Sequence, residues 1–272
     1  MIKSVVGRRR KRMPVESMKV RPGIEVAGLS DVGCQRENNE DSFLYWEPAD
    51  DREFKRKGRL AVVADGMGGY EGGLEASRLA VETVREVYDR VMRNDPQVAL
   101  VEAFLTAHDK ILNYAVENPE LQGMGTTCTA LVICDRQIHV AHVGDSRLYL
   151  LRDAEISRLT RDHSYVGRLV ESGIVRAEDA ERHPQRHILT AALGAGTELS
   201  VDGIERSVKL QDGDELLLCT DGLWGVVGED ELQSAMASYA PNECCQALVK
   251  LARERGGPDN ITLQVLRVVP ED

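Results

Sequence analysis

Five aspartates recur in one kind of setting along the chain. Asp65 ends the apolar run LAVVAD, Asp145 ends HVAHVGD and Asp221 ends ELLLCTD. Asp259, in GGPDN, immediately precedes ITLQVL, and Asp41 introduces SFLYW after the polar RENNE. Each alone reads equally as a turn former, helped at 65–66 and 221–222 by the glycine that follows it. Antiparallel strands would bring such ends to one rim, and repulsion then decides what the cluster is for. Two carboxylates about 4 Å apart repel by about 4 kcal/mol at an effective dielectric near 20. Several such pairs exceed the stability of a typical domain unless cations neutralise them. Hard oxygen donors without cysteine or histidine select Mg2+ or Mn2+. Two such ions bridged by one carboxylate can acidify a water and clamp an in-line displacement at phosphorus. The neighbouring glycines let the backbone approach, so that Gly66 can offer its carbonyl.

The elements that must position these acids follow from periodicity. GIEVAGLSD and DSFLYWE have strand composition, with a charged loop, PADDREFKRKG, after them. A strand over 60–64 ends at Asp65. Residues 75–94 have helical spacing, with Leu79, Val84, Val87 and Val91 on one face. A second helix runs over about 97–117, between Pro96 and Pro119. TCTALVICD, QIHVAHVGD and RLYLLRD read as three strands at the spacing of an antiparallel meander. Residues 160–197 are polar and helix-biased with little core, an excursion over one end of a sheet. VDGIERSVKL and DELLLCTD return to strand, helices follow at about 229–239 and 242–255, and NITLQVLRVV is the last strand. That order predicts α+β layers in one domain over 21–272.

Composition narrows the function classes. Hydrophobic residues make up 42% of the 272, enough for a sizeable core, but aromatics make up only 4%, so that core is aliphatic. A net charge of −11 argues against a nucleic-acid surface over most of the fold. No run is apolar enough to cross a bilayer, and MIKSVVGRRRKRM lacks the apolar core of a secretory signal. The six cysteines show no CxxC spacing and read as reduced thiols of a cytoplasmic protein. Residues 1–20 form a basic arm, Lys3 and Arg8 to Arg12, with no acid before Glu16. It reads as a solvated tail or as an electrostatic contact with an anionic partner or membrane surface, which one short arm would hold only weakly.

A set of motifs occurs in a fixed order: RENNEDSF (36–43), VVADGMGG (62–69), GMGTTCTALVI (123–133), HVGDSRLYLL (142–151), LTRDHSYVGRLVESG (159–173), HPQRHILTAALG (183–194), LLLCTDGLWGVV (216–227) and GPDNITLQVL (257–266). In these the chain, from about residue 24 to 269, resembles the metal-dependent serine/threonine protein phosphatases of the type 2C or PPM family, in their bacterial form. The resemblance implies a four-layer αββα sandwich, two antiparallel sheets flanked by helices, with a mobile helical flap over about 160–197. It implies that Asp65 bridges two Mn2+ or Mg2+ ions, with the Gly66 carbonyl on the second and Asp221 and Asp259 on the first. Glu40 and Asp41 would act on the metals through water, Asp145 with Asp221 would serve a third ion, and Arg36 would receive the substrate phosphate. It further implies hydrolysis of phosphoserine and phosphothreonine in proteins by a metal-activated water, without a phosphoenzyme, opposing serine/threonine kinases. The expected partners are phosphoproteins, with no nucleic acid and no stable membrane insertion, and the chain is expected to be a cytoplasmic monomer.

Three positions qualify the pattern. Met67 stands where eukaryotic members often carry a histidine proposed as general acid, and methionine has no proton to give. Ala191, in LTAALG, stands where many relatives have arginine. His163 on the flap reads as a structural hydrogen-bonder, and Cys219 as a buried strand residue. Other phosphate chemistries fail on spacing: no cysteine has arginine six positions on, and no Gly-Lys-Ser/Thr is present. A dinucleotide loop at 66–71 fails at Glu71, where the third glycine belongs. The rival of another class is a binding protein on the same fold with little catalysis, against which stands the full set of acids.

Overall fold

The computed structural model describes residues 20–91, 95–180, 183–196, 199–204 and 207–270; all but the last residue of the expected basic arm lies outside them. In chain order the elements are β1 (Ile24–Asp31), β2 (Asp41–Trp46), α1 (Asp51–Lys57), β3 (Arg59–Met67), α2 (Tyr70–Arg90) and α3 (Pro96–Glu117). After a 3-10 turn (Pro119–Leu121) come β4 (Gly125–Thr126), β5 (Cys128–Cys134), β6 (Gln137–Val143), β7 (Arg147–Arg152) and β8 (Glu155–Arg158). Then follow α4 (Tyr165–Glu171), α5 (Ala177–Ala180), β9 (Glu215–Cys219), α6 (Asp221–Trp224), α7 (Glu229–Ser238), α8 (Pro241–Glu254) and β10 (Ile261–Val268). No described helix is long and apolar enough to cross a membrane.

The strands make two antiparallel sheets, β1-β10-β9-β7-β8 and β2-β3-β5-β6, with β4 paired to the end of β3. Side chains alternate across a strand, so each central strand feeds two cores. Leu60, Val62 and Ala64 of β3 pack against α2 and α3, whereas Ala61 and Val63 face the other sheet. In β9, Leu217 and Cys219 pack against α7 and α8, while Leu216 and Leu218 face inward. Three apolar layers between four layers of structure make an αββα sandwich. They also explain why these strands read as continuous apolar runs: both of their faces are buried.

The helices form where an apolar stripe meets a capping signal. Ala76, Ala80, Val84 and Tyr88 repeat every fourth residue along α2 and are buried on the sheet. Asp95 caps α3, its carboxylate accepting from the Gln97 amide at 2.9 Å, and Pro96 occupies the first turn. Pro241 likewise opens α8, which buries Cys244, Cys245, Leu248 and Val249.

Four expectations need correction. The charged stretch at 48–58 is not all loop: α1 lies within it, capped by Asp50. Its single aromatic, Phe54, is held between the guanidinium groups of Arg21 and Arg59, so no apolar stripe marked it. The strands at 128–134, 137–143 and 147–152 are not one meander. After β6 the chain turns through Gly144, at φ +108°, and crosses to the other sheet, where β7 pairs with β8 and β9. Short spacing cannot separate a hairpin from a corner between sheets. Residues 201–210 form no strand among the described residues; their pairing with β6 is confined to the isolated bridges His142–Asp202 and Gln137–Lys209. The alternation there reports burial of Ile204, Val208 and Leu210 between the sheets, not strand pairing. Among the described residues, segment 160–197 is helical only at α4 and α5, and it does supply core: Leu193 is fully buried beneath α3.

Truncating the layer between the sheets measures how far they depend on each other. Leu218 is fully buried there. Leu218→Ala is expected to lower unfolding free energy by about 2–5 kcal/mol in urea titration; a loss near zero would contradict a shared inter-sheet core.

Candidate active site

The pairing register gathers the acids. Asp41, at the start of β2, lies directly opposite Asp65 near the end of β3. The end of β9 lies beside the starts of β7 and β10, which brings Asp221 and Asp259 to the same rim. The β6–β7 corner carries Asp145 there as well. Glu40, Asp65, Gly66, Asp145, Asp221, Asp259 and Arg36 line one cleft of about 680 Å³ at this end of the sandwich, with Asp41 buried behind it. The residues expected to hold metals or receive phosphate are therefore brought together. Asp65 does not terminate its strand, because β3 continues through Gly66 to Met67.

Hydroxyl and amide side chains hold these positions. Thr127 Oγ1 accepts from the Asp65 amide at 3.0 Å, and Thr126 Oγ1 donates to the Asp65 carbonyl at 2.8 Å. Thr220 Oγ1 donates to Asp41 Oδ2 at 2.9 Å, joining one sheet to the other beneath the cleft. The Trp224 indole donates to the Asp145 carbonyl at 3.0 Å. Asn260 clamps the loop before β2: its Oδ1 accepts from the Glu40 amide at 2.8 Å, and its Nδ2 donates to the carbonyls of Val32 and Asn38. Gly66 is pressed between the Glu40 backbone and the Gly73 carbonyl, where any Cβ would collide with backbone.

Crowding dominates the electrostatics. Burial pushes the Asp41 carboxyl up to about 7, with the charges of Asp221 and Asp259 adding to the shift and hydrogen bonds from Thr262 and Thr220 opposing it. Asp65 is pushed well above the usual carboxylate range, first by desolvation and then by Asp41, Asp221, Asp145 and Asp259. Asp145 is raised in the same way by burial and by Asp221. Glu40 is raised by burial. At the cleft mouth Arg36 donates to Asp259 Oδ2 at 2.7 Å, a pair that raises the arginine's own affinity for its proton.

The donor set fits a hard divalent cation. Asp41 Oδ1 and Asp221 Oδ1 are buried without a hydrogen-bond partner, an arrangement that is costly unless something positive meets it. The acids offer oxygen alone, and no thiol lines the cleft. Among the described residues no three acidic, histidine or cysteine side chains already close around one point. Such an open set suits a small ion that keeps several of its own waters.

Sequence reasoning missed His187 and Arg186, which also line the cleft, and Asn260, which positions it. His187 Nδ1 lies 3.5 Å from Asp221 Oδ2. The signal was present as the dipeptide Arg-His in an otherwise apolar-poor segment, but nothing in the spacing said that the segment folds back onto the acids. His163 behaves as expected: its Nδ1 accepts from the Gly144 amide at 3.3 Å and its Nε2 faces Asp202 at 3.1 Å. Cys219 is fully buried and burial raises its thiol to about 12. Met67 lines the cleft, and Ala191 packs against the core beneath α3.

Residues 35–253 match the family model described as protein phosphatase 2C. The serine/threonine protein phosphatase PstP of Mycobacterium tuberculosis is 35% identical over 249 residues, 92% of this chain but 46% of PstP, so the chain spans about half the length of that relative. The protein phosphatase PhpP of Streptococcus pneumoniae is 34% identical over 258 residues, covering 92% of this chain and 99% of PhpP. The crystal structure of the PstP catalytic domain in complex with two manganese ions superposes with a TM-score of 0.78 at 33% identity, covering 91% of this chain and 99% of that one.

Crowded carboxylates make a stability signature with a definite sign. Because Asp41 and Asp65 bind protons more tightly folded than unfolded, no penalty exists below the unfolded value near 4. The penalty grows as pH rises, reaching its full size for Asp41 above about 7. In chelator, Asp65→Asn is expected to raise the melting temperature at pH 8, with the gain vanishing toward pH 4. A variant less stable than the parent at pH 8 would contradict the mutual repulsion.

Proposed function

The chain belongs to the protein phosphatase 2C family, and on that premise we propose that it removes phosphate from phosphoserine and phosphothreonine side chains of proteins by metal-dependent hydrolysis. One observation carries the reading: carboxylates from five separate parts of the chain meet in one cleft, where their repulsion demands divalent cations. Asp65, the Gly66 carbonyl, Asp221 and Asp259 are the proposed holders of two Mn2+ or Mg2+ ions, with Glu40 and Asp41 acting through water and Asp145 serving a third. The two manganese ions in complex with the PstP catalytic domain support that number and one of those metals. When bound, the ions supply Lewis acidity that activates water and offsets charge developing on the phosphate.

The chain's own residues do the rest. Arg36 is half exposed at the mouth of the cleft, and its planar fork matches phosphate oxygens. Its bond to Asp259 holds the guanidinium over the acids, where an incoming phosphate meets it. Asp65 is fixed by the threonine contacts to its backbone, so its carboxylate does not have to be ordered when substrate arrives. No cysteine or serine nucleophile is required, so phosphate passes directly to water and no phosphoenzyme forms. The natural substrates on this reading are phosphoproteins made by serine/threonine kinases.

Hydrolysis of p-nitrophenyl phosphate and of a phosphothreonine peptide is expected only with Mn2+ or Mg2+ present. Asp221→Asn should lower kcat at least about a hundredfold, in the range of losing a major electrostatic contributor to a transition state. Arg36→Ala should act mainly through KM for the peptide. Phosphopeptide binding without metal-dependent turnover would instead identify a binding protein on this fold. Capture of a covalent phosphoenzyme would exclude direct attack by water.

A further inference from the structure

Arg186 differs from the other basic side chains around the cleft. Arg36 is committed to Asp259, and His187 lies against Asp221. A second cavity, of about 520 Å³, runs beneath α4, with Val166, Val170 and Trp224 in its walls. The arginines on that side are engaged: Arg147 and Arg158 both pair with Asp162, and Arg161 has contacts of its own. Arg186 lines both cavities and so stands at the partition between them. Among the described residues its guanidinium has no hydrogen-bond or ion-pair partner, and its Nε is buried. The side chain is only partly buried, but a guanidinium does not shed its proton, and an anion reaching the buried Nε would satisfy it.

We propose that Arg186 is a specificity-determining residue that binds an anionic side chain flanking the phosphorylated residue of the substrate, where the peptide passes from the cleft toward the cavity under α4. The inference rests on the phosphatase reading and adds a substrate class to it: phosphoproteins with an acidic or second phosphorylated residue near the reacting one. Glu171, Glu178 and Glu229 also line the second cavity, Glu178 being paired with Arg176, so an incoming anion finds its favourable partner in Arg186. Arginine suits the task because its fork takes a carboxylate or a phosphate through paired charge-assisted hydrogen bonds.

The test compares matched phosphothreonine peptides carrying Asp, Ala or Lys at neighbouring positions on either side, with Mn2+ in excess. At the productive position the wild-type chain should favour Asp over Ala by on the order of tenfold in kcat/KM, mostly through KM, the size of one charge-assisted hydrogen bond. The preference should shrink as salt is added. In Arg186→Glu the order should invert, with Lys above Asp. Each ratio is measured within one preparation and is independent of the fraction folded. Hydrolysis with no flanking-charge preference at any position, or a preference that survives Arg186→Glu, would overturn the inference and leave the phosphatase reading standing. No metal-dependent hydrolysis of any peptide or of p-nitrophenyl phosphate would overturn both.

Discussion

Like charges brought together at one rim of a β-sandwich set the terms for the rest of the structure. Asp65 feels Asp41, Asp221, Asp145 and Asp259 at once, in surroundings that desolvate it. A fold whose net stability is about 5–15 kcal/mol holds such a cluster only if rigid elements enforce it and counter-charge relieves it. The rigid elements are two sheets packed face to face through an aliphatic core, each backed by its own helices. The counter-charge comes partly from the chain, in Arg36, and in the functional reading from divalent cations.

The scaffold's polar contacts serve the same end. Threonines 126, 127 and 220 sit where the strands reach the cleft, and their hydroxyls fix backbone or carboxylate instead of facing solvent; the Thr220 hydroxyl also accepts from the Thr262 amide. Thr220 joins Asp41 of one sheet to the strand end of the other, so the two sheets cannot slide without breaking the site. Gln264 does the same deeper in the sandwich, donating to the Val62 carbonyl at 2.8 Å. Beside this framework, segment 160–197 closes on itself at the Ser164–Leu189 bridge and is tied to the sheets by the Arg147–Asp162 pair, the His163 contacts and the anchor at Leu193. It contributes Arg186, His187 and Leu189 to the cleft wall. The clustered acids thus lie in or beside strand ends, whereas Arg186 and His187 lie on an irregular arch, the division expected on the proposed reading if chemistry is constant and recognition varies.

Much of this was legible because strands buried on both faces leave unbroken apolar runs, and an acid at the end of such a run stands out. Asp65, Asp145, Asp221 and Asp259 were all visible on that ground. Their convergence followed from antiparallel pairing, which places the end of one strand beside the start of the next. What was not legible was topology at the corner. Gly144 turns the chain from one sheet to the other, yet its neighbours read as one more hairpin in a meander. The helix at 51–57 escaped because Phe54 is covered by two arginines instead of belonging to an apolar stripe. The run at 201–210 misled because alternating burial of Ile204, Val208 and Leu210 mimics a strand where the backbone makes only isolated bridges. His187 and Arg186 were missed because a polar segment carries no period that says which way it folds.

The most direct test is anomalous diffraction at the manganese edge from crystals grown with Mn2+. The account predicts at least two peaks in the cleft, one flanked by Asp65, Asp221 and Asp259 and another within reach of Asp65 and the Gly66 carbonyl. A cleft without anomalous density at saturating Mn2+, or ions bound only elsewhere on the surface, would contradict it.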